Sequence, residues 1–222
     1  MRHGVGLEPG DVVEIGGIKV CTLERLIMDM ARFRHPRQSI PIGDAALAIL
    51  SGASNFDQER TVREADKIRA RFLKRAEALR GYRGIKQART VIDFLDPLSQ
   101  SIGESVLRWG LAAFGLTVVS QHPVSIDGAP VYFLDLLAVR YRIVFEFDGE
   151  LKYEGDGGLL NRRREAVRDH DLVALGFVVF HFGWEDILTV RAVGQAITRA
   201  VGMAVLDQHE LRMDLWDPLL AA

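Results

Sequence analysis

The chain has 222 residues, 48% of them hydrophobic and 26% charged, with a formal net charge of −2. That length supports one large or two small domains with an ample core. The composition excludes wholesale disorder and gives no global attraction to nucleic acid. One cysteine, Cys21, excludes a disulfide framework and a zinc–cysteine cluster, and its apolar surroundings in sequence predict a buried thiol. The sequence has no stretch apolar and long enough to span a bilayer, and no basic start followed by an apolar run, so a soluble, cytoplasmic protein is expected.

In chain order, Val12–Ile15 and Ile18–Cys21 flank Gly16-Gly17 and predict a small hairpin. Thr22 offers an N-cap to a helix carrying Leu26, Ile27, Met30, Ala31 and Phe33, which Pro36 ends. A second short helix is expected from Gly43 to Leu50. Residues 57–79 carry a helical stripe of Val62, Ala65, Ile68, Phe72, Ala76 and Leu79, and after a break at Gly81–Gly84 helix resumes from Ile85 to Phe94. From Asp57 to Thr90 there are 11 Lys/Arg against 5 Asp/Glu. That density fits either an ion-paired helix face or a surface turned to nucleic acid. Leu95–Ser101 reads as a linker, with a domain boundary between a mostly helical first part and a second part in which helix and strand alternate.

The second part opens with an amphipathic helix from Gly103, with Glu104 in its first turn and Val106, Leu107, Leu111 and Phe114 facing inward. Strands follow at Thr117–Gln121, Val131–Val139 and Arg142–Asp148, with Pro123 and Asp127-Gly128 marking a turn. A helix over Leu159–Leu175 carries Arg162, Arg163, Arg164 and Arg168. Phe177–Phe182 is a further strand, and Trp184 opens the last helical stretch, which runs to Val201. Trp109 and Trp184 read as packing residues. Beyond Met203, Leu215, Trp216, Leu219 and Leu220 could pack on a neighbour.

The chemistry concentrates in Ile143–Tyr153. Glu146 and Asp148 leave one face of a strand among apolar neighbours. If Arg140-Tyr141 is the turn, Asp135 stands opposite Glu146. Facing like charges destabilise a sheet, so they need a shared proton, a basic neighbour or a divalent ion. Oxygen-rich sites of this kind suit Mg²⁺ or Mn²⁺. Lys152, just beyond the strand, could neutralise charge or orient a water. Acids solvated on an exposed edge are the bland alternative, which the apolar residues around them argue against. His181, between Phe180 and Phe182, reads as a core or rim histidine.

Glu104 on a helix, Phe-Leu-Asp135, Phe-Glu146-Phe-Asp148-Gly149, the arginine-rich helix and Gly176–Asp186 together resemble the PD-(D/E)XK nuclease superfamily, in its very-short-patch-repair-endonuclease-like group. The match covers roughly residues 100–190. The segment before it (Pro9–Val13, the Gly-Gly hairpin, Thr22–Arg32 and Gly84–Arg89) resembles actinobacterial AbiEi-type antitoxin-like proteins, without the winged helix usual at their start. The resemblance implies an α+β chain: a helical antitoxin-like region at 1–95, a restriction-endonuclease-like domain at 96–203 with a central mixed sheet flanked by helices, and a tail at 204–222. It implies Asp135 and Glu146 as metal-binding acids, with Glu104 reaching the metal through water. Asp148 occupies the position where many members carry the lysine of the motif, and Lys152 would supply the ammonium instead. Arg162, Arg163, Arg164 and Arg168 would hold phosphates, and Gln121 is a weaker nucleic-acid contact. The implied activity is Mg²⁺- or Mn²⁺-dependent hydrolysis of DNA in defence or repair. The alternative is a non-catalytic DNA-binding or antitoxin-like regulator. DNA is the expected partner, and a homodimer or a toxin-type protein partner stays open.

Overall fold

The computed structural model describes residues 6–125, 132–149 and 158–216, with backbone alone for 158–165. Strands β1 (Val12–Ile15) and β2 (Ile18–Cys21) pair as an antiparallel hairpin with Ile15 opposite Ile18. Gly16 and Gly17 supply the positive φ values, +58° and +82°, that a two-residue turn of this hand requires. The hairpin covers no core, and all its strand residues are exposed. Cys21 is therefore exposed rather than buried, because apolar neighbours in sequence bury a side chain only when a second layer packs on them.

Helix α1 (Leu23–Phe33) starts where expected, with Thr22 Oγ1 accepting from Arg25 N at 3.2 Å. Pro36 does more than end it. Its fixed φ and missing N–H suit the first turn of a helix, and it begins α2 (Pro36–Ser51). The expected Gly43–Leu50 helix is thus twice as long and accommodates Pro41 in its interior. Helix α3 (Gln58–Ala78) is capped by Asp57, and α4 (Ile85–Phe94) follows. On α3 the buried stripe is Thr61, Ala65, Ile68, Phe72 and Ala76, whereas Val62 is exposed. Thr61 can be buried because its hydroxyl donates to the Ser54 carbonyl and accepts from Ser54 N. Much of the basic density on α3 is answered locally, by Lys67 on Glu64, Arg69 on Asp66 and Arg80 on Glu77.

The stretch expected as a linker is packed. Leu95, Leu98 and Ser99 are buried, and Asp96 N donates to Asp44 Oδ1 at 2.8 Å. Helix α5 (Ile102–Ala113) then begins, with Ser101 Oγ accepting from Glu104 N at 3.0 Å. Its Trp109 is fully buried, stacks on Trp216 at 5.9 Å and donates to the Leu215 carbonyl. Leu215 and Trp216 thus pack on their own chain, while Leu219 and Leu220 lie outside the described residues.

Strands β3 (Val119–Val124), β4 (Tyr132–Ala138) and β5 (Ile143–Phe147), helix α6 (Gly158–Ala174) and strand β6 (Val178–Phe182) follow. The sheet order is β3-β4-β5-β6, antiparallel across the first two pairings and parallel across the last, with α6 as the crossover. Pro123, expected in a turn, lies inside β3, which is an edge strand and tolerates the missing donor. The β4–β5 register pairs Leu136 with Phe145 and Ala138 with Ile143, in line with Asp135 facing Glu146. The connection is wider than two residues: a 3₁₀ turn over Val139–Tyr141, then Arg142 at φ +55°. Helices α7 (Trp184–Ile187), α8 (Val190–Val201), α9 (Met203–Leu206) and α10 (Met213–Trp216) complete the described chain.

The main hydrophobic cluster runs from Ile27, Leu47, Phe72 and Ile92 through Trp109 and Leu111 to Phe145, Val193 and Ile197. The helical first part and the sheet therefore share one core. Each such leucine, isoleucine or phenylalanine gains about 1.5–3 kcal/mol on burial. The chain is α+β, with one four-stranded mixed sheet among helices and one two-stranded sheet. No helix among the described residues is long and apolar enough to cross a membrane.

Candidate active site

Three acids approach one another near the junction of α5, β4 and β5, with Asp135 beside each of the other two. Gly103 permits the approach. A Cβ there would fall 2.1 Å from the Phe147 ring, so only glycine lets the first turn of α5 lie on β5. The next residue, Glu104, is 7% exposed and accepts from Gln100 N at 2.9 Å and Gln121 Nε2 at 3.1 Å. From β4, Asp135 accepts the Phe147 backbone N–H at 2.9 Å. From β5, Glu146 is 4% exposed and accepts from Arg168 Nη2 at 2.7 Å. Asp135 is the common neighbour. Burial, and then the Asp135 charge, push the Glu104 carboxyl up to about 7 and the Glu146 carboxyl up to about 8. Arg168 opposes the shift on Glu146. Among the described residues no cation pairs with Glu104 or Asp135; Glu104 accepts from Gln100 N and Gln121 Nε2, and Asp135 accepts from Phe147 N and meets the Glu146 carboxyl in a hydrogen bond, so the two share a proton.

The remaining expected site residues divide. Asp148 is engaged at the rim of the sheet. Its Oδ2 pairs with His181 Nδ1 at 2.8 Å, and His181 Nε2 meets Asp169 at 2.9 Å. Hydrogen bonding to Asp148, against some loss of solvation, raises the His181 imidazole to about 9, so it is a charged bridge between two acids at the rim of the sheet. Arg168, expected on phosphate, stands on Glu146 and on the Phe133 carbonyl at 2.9 Å. Lys152 and the side chains of Arg162, Arg163 and Arg164 lie outside the described residues.

Gln121 is tied into the site more firmly than a strand-end residue. It is 2% exposed and has φ +50°, a left-handed backbone uncommon outside glycine. Two residues from the helical first part hold it. Asn55 Nδ2 donates to its Oε1 at 2.8 Å, and Gln58 Nε2 donates to its carbonyl at 2.7 Å. Its Nε2 is thereby fixed on Glu104. Asn55 and Gln58 are positioning residues that the sequence offered no pattern for, since they sit 66 and 63 residues away from their partner. Asn55 opens a 3₁₀ turn over Asn55–Asp57, and Gln58 begins α3 directly after it. Beside them Phe56 projects into solvent and meets Phe133 edge-on, 5.6 Å between ring centres.

The donor set consists of carboxylate oxygens, the hard ligands that Mg²⁺ and Mn²⁺ prefer. Once all three acids ionise, above about pH 8, one arginine leaves an excess of negative charge that a divalent ion would offset. By chemistry and charge the residues fit such an ion, with Asp135 and Glu146 as its holders and Glu104 beside them. Among the described residues no group of three aspartate, glutamate, histidine or cysteine side chains stands placed to hold a metal ion. Comparison with protein-family models, with curated proteins and with solved structures gave no match.

Proposed function

We propose that the chain is a metal-dependent endodeoxyribonuclease whose centre is Asp135, Glu146 and Glu104. The observation that carries this reading is that half-buried Asp135 raises two buried acids, Glu104 and Glu146, from separate elements, with Arg168 the cation paired to Glu146. Evolutionarily neutral packing would replace such acids with apolar groups at no loss of stability. Perturbed carboxyls of this kind gather where chemistry is done. The resemblance of residues 100–190 to the PD-(D/E)XK group gives the reaction class. A bound divalent ion would acidify a water and offset charge on the phosphoryl group. Asp135 and Glu146 would hold it. Glu104, kept in place by Gln100 N and Gln121, would accept a hydrogen bond from a metal-bound water. Lys152 is assigned the orientation of the nucleophile.

The test is cleavage of linear, supercoiled and single-stranded DNA with Mg²⁺ or Mn²⁺. Activity should fall by at least about a thousandfold in Asp135→Ala and Glu146→Ala, the scale on which removal of key charge-stabilising groups acts. A folded wild-type protein that cuts no DNA form with either ion overturns the reading.

One observation favours a second reading, a non-catalytic DNA-binding or antitoxin-like regulator. Asp148, at the motif's usual lysine position, is engaged by His181. That reading predicts salt-dependent DNA binding that survives loss of both Asp135 and Glu146.

A further inference from the structure

Glu146 already carries a cation. Arg168 reaches from α6 and uses a single nitrogen, Nη2, for both the Glu146 carboxylate and the Phe133 carbonyl, which lies two residues before Asp135 on β4. This is a one-nitrogen contact and not the two-bond fork that makes arginine–carboxylate pairs strongest. Arg168 Nε is buried without an acceptor. The side chain is nonetheless 26% exposed, against 7% for the core arginine Arg108, so part of it already meets solvent.

A divalent ion on the same Glu146 oxygen would stand at about 2.1 Å from it. A guanidinium nitrogen held at 2.7 Å from that oxygen would then face a like charge in a poorly screened interior. On Oε1, the Glu146 oxygen that Arg168 holds, the two cations would compete. We propose that Arg168 is the resting counter-ion of the acid centre and is displaced when a divalent ion loads. This rests on the nuclease reading and adds a loading step to it. Anchored on α6 next to the centre, the released guanidinium is set to take a phosphate oxygen of the substrate, so one residue serves the unloaded site and then the substrate.

Nuclear magnetic resonance of the arginine side chains tests this without reference to activity. In the protein without metal, Arg168 Nε–H should give a signal protected from solvent exchange, assigned by its loss in Arg168→Lys. Titration with Mg²⁺ should remove that signal, or move it to the position of solvent-exposed arginines, in step with changes at the Asp135 and Glu146 carboxyl carbons. Asp135→Asn should abolish both responses. If the carboxyl carbons respond and the Arg168 signal stays, the displacement is overturned while the metal site stands. If no carboxyl responds to Mg²⁺ or to its closed-shell substitute Zn²⁺, the metal reading falls and the displacement with it.

Discussion

The molecule buries acids in two places and treats them in opposite ways. In the helical part, Asp11 is held by Arg25 at 2.8 Å and by Arg75 at 2.9 Å, and the Arg75 hydrogen bond keeps its carboxyl well below the usual range. Asp44 receives both its oxygens' worth of donors from Arg108, Ser105 Oγ and Asp96 N, although its complete burial, and then the Asp96 charge, still raise its carboxyl. In the sheet, Glu104 and Asp135 receive neutral N–H groups, and Asp135 pushes its two neighbours up. The first arrangement is an ion-pair framework that fixes the docking of α1, α2, α3 and α5. The second has one arginine, on Glu146, for three acids, so repulsion around Asp135 is offset by cations far less than at Asp11 or Asp44, as a divalent-ion site would need.

The comparison breaks most visibly at Asp44. Asp44→Ala would leave Arg108 buried without its carboxylate, at a cost of about 3–5 kcal/mol, read by denaturant unfolding. A change under 1 kcal/mol would mean that the framework is not what holds the helices.

At the sheet the sign should reverse. Asp135→Asn keeps an oxygen for the Phe147 N–H and removes the repelling charge. It should stabilise the protein by about 1–2 kcal/mol at pH 9 while abolishing cleavage, the trade expected where function holds a strained site. The gain should shrink below pH 7. There Glu104 (about 7) and Glu146 (about 8) are protonated and the repulsion is already relieved. The same linkage fixes the wild-type profile. Both folded values lie above the unfolded value of about 4.3, so the native state binds more protons, and this contribution to stability falls as pH rises from about 4 to 8.

Asn55→Ala and Gln58→Ala sharpen the claim that the first part of the chain completes the site. Each should lower divalent-ion affinity by roughly tenfold, the lower end of what loss of an outer partner costs, with unfolding free energy down by only about 1 kcal/mol. Calorimetric titration with Mn²⁺ separates the two effects. The smallest change is expected at the rim. His181→Gln should destabilise slightly below pH 6.5, where the histidine bridge is fully formed. The difference should fade as pH rises through about 9, where the native imidazole loses its proton.

Local signals carried much of this into the sequence. Thr22 announces its helix because a cap is a contact within three residues, whereas Ser101 caps α5 from within the stretch expected as a linker. Asp135 and Glu146 could be set opposite each other because one short connection joins their strands. What the chain hides are meetings across long separations: Arg168 on Glu146, and Asn55 and Gln58 on Gln121. Two prolines show the limit of residue-type rules. Pro36 stops one helix and starts the next, and Pro123 sits in a strand because that strand is an edge. Cys21 failed for want of any covering layer.

The central claim is that the Asp135 cluster is a site for a divalent cation. Thermal unfolding at pH 8 with increasing Mg²⁺ or Mn²⁺ tests it most directly, since an ion bound by the native state alone raises the melting temperature in a saturable way. The account predicts such a rise in wild type and none in Asp135→Asn, which starts from a higher melting temperature without metal. A wild-type protein indifferent to both ions, or an equal rise in Asp135→Asn, would contradict it.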